Sequence, residues 1–210
     1  MKKIIILNCN FGNIDSVFNA VDYLGYKPII VSNFKKKIEG SHLILPGVGN
    51  FFYASKKVIE FELKEKIDTF LKNGGFILGI CLGMQLLFSK SKESGEAAGL
   101  NYFNGKCEIF KKASSNKLPL PHIGFSEVYH PDTSLWNGIK NPSDFYFVHS
   151  FRIKEIKKNS DDLKIGFSSY GEKFISYIEK KNIFGVQFHP EKSHNNGLKL
   201  LKNFFELNAL

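Results

Sequence analysis

The sequence predicts an α/β fold with a mostly parallel central sheet, flanking helices and an antiparallel strand excursion. In the first half of the chain, short apolar runs alternate with amphipathic segments, which is typical of a parallel sheet covered by helices on both faces. A cysteine with glycines on either side, Cys81, lies between one such run and a helix. From about Gly105 the pattern changes to strands separated by tight turns.

In the first half of the chain, predicted strands alternate with predicted helices. Its predicted strands are short apolar runs at residues 4–7, 28–31, 43–45 and 76–80. Its predicted helices repeat apolar residues every three or four positions, at residues 15–24, 54–72 and 82–88. Gly25 and the segment Asn73-Gly74-Gly75 end the first two of these helices.

The second half predicts strands at residues 107–110, 145–151, 164–167, 174–179 and 183–188. Lys180-Lys181-Asn182, between the last two strands, is typical of a hairpin. An amphipathic helix closes the chain, and its inward residues are Leu198, Leu200, Leu201, Phe204 and Phe205. Because no linker, repeat or low-complexity tract interrupts the sequence, we expect residues 1–210 to form a single domain.

Composition narrows the class of protein. The apolar runs are far shorter than the ~20 residues that span a bilayer, and residues 1–7 lack a signal-peptide pattern. The three cysteines, Cys9, Cys81 and Cys107, fit neither a disulfide framework nor a zinc site, so we expect a cytoplasmic protein. The net charge of +9 comes largely from lysine runs at 35–37, 111–112 and 157–158. Without a nucleic-acid motif, these runs indicate a solvated surface; no nucleic-acid partner, membrane, metal or cofactor is expected.

Cys81 lies where the buried strand at 76–80 meets the helix that follows. Gly79 and Gly83 flank it at the second position on each side, as in the turn that exposes the nucleophile of α/β-hydrolases. A helix N-terminus beside a thiol favours thiolate, its reactive form. We therefore predict that Cys81 is a nucleophile rather than a buried structural cysteine.

His189 ends the strand at 183–188, and Glu191 follows two residues later. Histidine is the usual general base for a thiol, and a carboxylate orients the imidazole and stabilises its cation. Pro190 restricts His189 to extended geometry. The sequence thus predicts a catalytic triad of Cys81, His189 and Glu191.

These motifs resemble those of the triad, or class I, glutamine amidotransferases, with G-x-C-x-G-x-Q at residues 79–85 and H-P-E at 189–191. Within the family they are most similar to the HisH branch, the glutaminase subunits of imidazole glycerol phosphate synthase. The segments at 45–49, 145–150 and 188–193 carry this closer resemblance, which extends over essentially the whole chain.

The resemblance implies hydrolysis of L-glutamine to glutamate and ammonia through a cysteine thioester. It also implies an oxyanion loop at Pro46-Gly47-Val48-Gly49, with donors at the Leu82 N–H and at Val48 or Gly49, although a plain tight turn is the alternative. The implied glutamine-binding residues are Gln85, Glu93, His149, Ser150 and Phe151. Lys92 replaces an acidic residue that the family more often has before Glu93. We interpret His149, within a buried run, as a structural histidine lining the glutamine pocket.

The implied partner is a HisF-type (β/α)8-barrel cyclase, in a heterodimer that makes imidazole glycerol phosphate and AICAR in histidine biosynthesis. The implied interface residues are Asn13, Phe125, Tyr146 and Lys192. Two segments depart from the family pattern: residues 8–13 lack the usual aspartate, and Phe125-Ser126 replace a Trp-Asn pair.

These departures keep an alternative open, a paralogue supplying ammonia to another synthase such as a surface-sugar amidotransferase. A non-catalytic scaffold is disfavoured because all three triad residues are present. A cysteine peptidase or DJ-1-like hydrolase is disfavoured by Gln85, the loop at 46–49 and the His-Pro-Glu motif.

Overall fold

Apolar runs in the first half of the chain form neighbouring parallel strands. The computed structural model describes residues 1–10, 12–32, 40–111, 118–156 and 162–208; the lysine runs at 35–37 and 157–158, together with Lys112, lie outside these ranges. The strands are β1 (Lys3–Leu7), β2 (Lys27–Val31), β3 (His42–Leu45), β4 (Phe76–Ile80), β5 (Phe88–Ser91), β6 (Ala97–Ala98), β7 (Phe103–Ile109), β8 (His122–Val128), β9 (Ser143–His149), β10 (Phe151–Ile156), β11 (Lys164–Ser169), β12 (Lys173–Lys180) and β13 (Ile183–Val186).

The strands form one large sheet and one hairpin. In the described part of the chain, the order across the large sheet is β2-β1-β3-β4-β13-β12-β10-β7-β5-β6, and β11 pairs with β12. The stretch from β2 to β13 is parallel throughout. The β13–β12, β12–β10 and β10–β7 pairs are antiparallel, and β7 pairs with β5 in parallel. Strands β8 and β9 form a separate antiparallel pair. The predicted fold class is confirmed.

Helices cover both faces of the parallel part. They are α1 (Ile14–Tyr23), α2 (Phe51–Glu60), α3 (Leu63–Lys72), α4 (Leu82–Leu86) and α5 (His194–Glu206), with short 3-10 helices at Ser134–Trp136 and Pro190–Lys192. Neighbouring residues of β1 belong to different cores: Ile5 packs with α2 and α3, and Ile4 with α1 and α5. This alternation follows from the two-residue side-chain period of a strand. None of the described helices is both long enough and apolar enough to cross a bilayer.

The prediction of one long helix at 54–72 is wrong, because α2 and α3 are separate. Glu62 between them has a φ of 51°. The break has a reason in the sequence: Leu63 lies five positions after the buried Val58, out of phase with a helical stripe. The left-handed residue resets the phase, so that Leu63 and Ile67 face the core.

Several predicted strands also have different bounds. The segment predicted as one strand at 145–151 is divided at Ser150 between β9 and β10. Strands β5, β6 and β8 were not predicted. The polar or glycine-containing sequences of β5 and β8 lack a clear apolar pattern, and β6 consists of only two alanines. The hairpin at 180–182 joins β12 to β13 as predicted.

Candidate active site

The turn at Cys81 is held by close backbone packing. Cys81 follows β4, precedes α4 and has a φ of 54°, in the left-handed region that non-glycine residues seldom occupy. A Cβ atom on Gly79 would lie 2.7 Å from the carbonyl oxygen of Gly83, and one on Gly83 would lie 1.8 Å from that of Leu45. Both positions therefore require glycine, which explains the spacing of the motif.

The carboxyl ends of two adjacent parallel strands bring the predicted triad together. Ile80 pairs with Val186 across β4 and β13, and the N–H of Cys81 donates to the Val186 carbonyl at 2.8 Å. The chain after β13 then places His189 beside Cys81. The Nδ1 of His189 lies 2.6 Å from Oε1 of Glu191, and both side chains are almost completely buried.

The side chains of Cys81 and Glu191 favour the protonated, positively charged form of His189. Burial acts to lower the pKa of His189, but the nearby Cys81 and Glu191 outweigh it and raise that pKa to about 10. An imidazolium at neutral pH is the partner that a thiolate needs. In contrast, burial raises the pKa of Cys9 to about 12 and that of Cys107 further still, so both of these thiols stay protonated.

A cavity of about 280 Å³ opens beside Cys81. It is lined by Val48, Gly49, Cys81, Leu82, Gln85, Glu93, Pro121, Val148, His149, Ser150 and Phe151. All five predicted glutamine-binding residues are therefore on its wall. The residues with predicted oxyanion donors, Val48, Gly49 and Leu82, are also there, whereas Gly47 of the predicted oxyanion loop is not. Pro121 and Val148 were not predicted.

The carbonyl of Gly47 occupies one predicted oxyanion donor. The N–H of Leu82 donates to it at 3.2 Å. In this conformation the Leu82 N–H is not available to a substrate oxyanion, so the peptide between Gly47 and Val48 must rotate before both predicted donors can act.

One polar residue of the cavity, Glu93, also contacts a helix beyond the cavity wall. Glu93 Oε2 accepts from the N–H of Phe51, the first residue of α2, at 2.8 Å. Burial raises the pKa of the Glu93 carboxyl, against hydrogen bonds from Phe51 and Asn50 that act to lower it. Glu93 thus accepts a hydrogen bond from the first turn of α2 as well as offering a carboxylate to the cavity.

His149 is hydrogen-bonded within the wall of the cavity. Its Nδ1 lies 2.7 Å from the Phe151 carbonyl oxygen and its Nε2 lies 3.2 Å from Nδ1 of His122. Burial lowers the pKa of His149 to about 3, against the effect of the Phe151 hydrogen bond. His149 is therefore neutral at pH 7, which fits a structural group rather than a second base.

The four predicted interface residues lie close to the His189–Glu191 turn. Asn13 Nδ2 donates to Glu191 Oε1 at 3.1 Å, so Asn13 contacts the triad carboxylate directly. The half-exposed Phe125 ring packs against Tyr146, and Lys192 Nζ lies 6.0 Å from the centre of the Tyr146 ring. The backbone oxygen of Tyr146 accepts from the His189 N–H at 2.8 Å.

Gln187 is the main residue that sequence reasoning missed. Its side chain is completely buried, and its Nε2 donates to Cys81 Sγ at 3.6 Å. The signal that could have found it is strand register, since Gln187 follows β13 just as Cys81 follows the adjacent β4.

Comparison with known proteins identifies the family of the chain. Residues 5–207 match the glutamine amidotransferase class-I family, and the chain belongs to that family. It is therefore a glutamine amidotransferase, with the glutaminase activity that defines the class.

The relatives are similar over their full length. The chain is 42% identical to the imidazole glycerol phosphate synthase subunit HisH of Wolinella succinogenes, over 96% of this chain and 98% of the relative. It is 41% identical to the HisH subunit of Methanocaldococcus jannaschii, over 96% and 98%. The structure of PurLQS from Thermotoga maritima has a TM-score of 0.70 at 17% identity, over 97% of both chains, and supports the fold.

Proposed function

We propose that this chain is the glutaminase subunit of an imidazole glycerol phosphate synthase, with residues 1–210 acting as one glutamine amidotransferase domain. The observation that carries the proposal is the cavity in which Cys81, next to the His189–Glu191 pair, meets the predicted glutamine-binding residues. The HisH relatives at about 40% identity support the particular pathway.

The proposed reaction uses the triad in two steps. The Cys81 thiolate attacks the side-chain amide carbon of glutamine, and the His189 imidazolium gives its proton to the leaving ammonia. His189, now neutral, takes a proton from water, which hydrolyses the thioester and releases glutamate. Glu191 holds the imidazole through Nδ1 in both steps.

Different polar residues of the cavity are proposed to bind different groups of free glutamine. Glu93 offers the carboxylate that an α-ammonium group requires, while Phe51 N–H holds one of its oxygens in place. Gln85 and the backbone at Ser150-Phe151 face the same cavity and offer polar groups to the rest of the substrate.

We further propose that a HisF-type (β/α)8-barrel cyclase docks on the surface formed by Phe125, Tyr146 and Lys192, and takes up the ammonia. Strand β8 exposes Ile123 and Phe125, at 59% and 48% of their surface, on the side that carries Tyr146. Since Tyr146 bonds to the backbone of His189, this surface is adjacent to the leaving ammonia. A cytoplasmic location suits three free thiols.

The decisive assay measures imidazole glycerol phosphate formation by the chain mixed with a barrel cyclase. Cys81→Ala is expected to abolish synthesis from glutamine and to leave synthesis from added ammonia intact. Cys107→Ala, at a buried thiol with a raised pKa, is the matched control and should retain both activities. Glutamine-dependent synthesis by Cys81→Ala would overturn the assignment.

The same assay distinguishes the alternative acceptor. Phe125 is exposed on the proposed docking surface and is one of the departures from the family pattern, which favours a paralogue as the second candidate. A paralogue would hydrolyse glutamine through Cys81 but would gain nothing from the cyclase and its ligand.

A further inference from the structure

Gln187 lies beside the thiol because of strand register. Gly185 and Val186 pair with Gly79 and Ile80, so the next residue on each strand, Gln187 and Cys81, emerge side by side at the carboxyl edge of the sheet. The backbone N–H of Gln187 is used by the Ser176 carbonyl, at 2.9 Å. The side chain of Gln187, rather than its backbone N–H, therefore contacts Cys81.

The orientation of the Gln187 amide follows from its neighbours. The Phe151 carbonyl can only accept, and it accepts from Gln85 Nε2 at 3.1 Å. The same nitrogen lies 3.1 Å from Gln187 Oε1, so the second N–H of Gln85 donates to that oxygen. The amide nitrogen of Gln187 must therefore face Cys81.

Two opposing contacts meet at the sulfur. The Val148 carbonyl, 3.8 Å from Sγ, can only accept and thus favours the protonated thiol. The Gln187 N–H, at 3.6 Å, donates and thus favours the thiolate. The side-chain amides of Gln187 and Gln85 are both buried, and a buried hydrogen bond to a charged group is stronger than one in water.

We propose that Gln187 donates a hydrogen bond to the Cys81 thiolate and stabilises it relative to the thiol, and that Gln85 positions the donor. This inference deepens the proposed glutaminase function, because Gln85 also lines the cavity. Glutamine entering the cavity thus contacts a residue that orients the donor to its own nucleophile.

The test is the pH dependence of Cys81 alkylation by iodoacetamide, followed by mass spectrometry of the Cys81 peptide. The midpoint of this profile reports the thiol pKa separately from the nucleophilicity of the thiolate. Gln187→Met, similar in length but without an N–H, should raise the midpoint by about one to two pH units, the size expected for a lost hydrogen bond to a charged group. Gln85→Met should raise it by less.

A matched control is Asn203→Ala, which removes another buried amide whose donors go to the carbonyls of Leu135 and Asn137. Its midpoint should equal that of the wild type. Circular dichroism melts establish that each variant is folded at the assay temperature.

If Gln187→Met does not fold, the inference is tested on the wild-type chain by NMR. The side-chain amide signal of Gln187 in a ¹⁵N-labelled sample should shift with the midpoint found by alkylation, and this shift should vanish in Cys81→Ser. The inference would be overturned by an unchanged midpoint in folded Gln187→Met. It would also be overturned if the Gln187 side-chain signal did not shift with pH at the alkylation midpoint of Cys81. Because alkylation needs no glutamine, neither outcome depends on the glutaminase function.

Discussion

Replacing Glu191 by glutamine is expected to weaken the enzyme without abolishing it. Glu191 Oε1 is shared by two donors, His189 Nδ1 at 2.6 Å and Asn13 Nδ2 at 3.1 Å. Its other oxygen, Oε2, is buried and has no hydrogen-bond partner among the described residues. A glutamine at this position can keep its side-chain oxygen toward His189. Its NH₂ group then takes the place of Oε2, where it has no hydrogen-bond partner among the described residues.

The size of the loss follows from these contacts. The hydrogen bond between the imidazolium and a carboxylate is replaced by one to a neutral amide, and a buried donor is left unpaired; together we expect about 2–3 kcal/mol in the transition state. This corresponds to a fall in kcat/KM of roughly 30- to 150-fold. His189→Ala removes the proton carrier itself and should cost more, about 10²–10⁴-fold from proton transfer alone.

The assay is glutamate release by the chain with its barrel partner, as a function of pH. Because one of the two anions that raise the pKa of His189 is lost, the alkaline limb of kcat/KM should move to lower pH in Glu191→Gln. The control, Asn13→Ala, removes the second donor, together with the acceptor of the Ser16 hydroxyl, but leaves the His189–Glu191 contact in place. It should therefore shift the alkaline limb much less. Equal losses for Glu191→Gln and His189→Ala, or wild-type activity in Glu191→Gln, would refute this account of the triad.

Three further predictions concern other parts of the molecule. The isolated chain should hydrolyse glutamine slowly and be activated by the partner with its acceptor ligand, because the Gly47 carbonyl occupies the Leu82 N–H; steady-state rates of the chain, the complex and the liganded complex test this, and a lone chain at the full rate contradicts it. Glu93→Gln should raise KM for glutamine with little change in melting temperature, whereas Glu93→Ala should change both, since it also removes the acceptor of the Phe51 N–H in the first turn of α2; an unaltered KM in both variants would exclude a substrate role. Burial lowers the pKa of His42 to about 4, so its stabilising contribution is present above the unfolded pKa of about 6.5 and is lost as pH falls toward 4. Urea unfolding of His42→Leu should therefore show about 2 kcal/mol less loss of stability than the wild type over that range, and identical pH dependence would contradict the assignment.

The sequence alone was sufficient where a local rule determines the structure. The strand at 76–80 and the turn at Cys81 were predictable because an apolar run followed by G-x-C-x-G permits few alternatives, and the structure places β4 at Phe76–Ile80. The break between α2 and α3 was not predicted, although Leu63 is out of phase with Val58, because helix formers on both sides hide a single left-handed residue.

The proposed triad could be predicted from the sequence because a thiol, an imidazole and a carboxylate each lie at the end of an apolar run or in a distinctive motif. Two features were decided by the tertiary structure alone. The contact of Gln187 with Cys81 depends on the register between β4 and β13, strands more than 100 residues apart. The hydrogen bond from Leu82 to Gly47 depends on the direction of one peptide plane. Local sequence specifies neither, because strand pairing and peptide orientation arise only when distant segments satisfy each other's backbone groups.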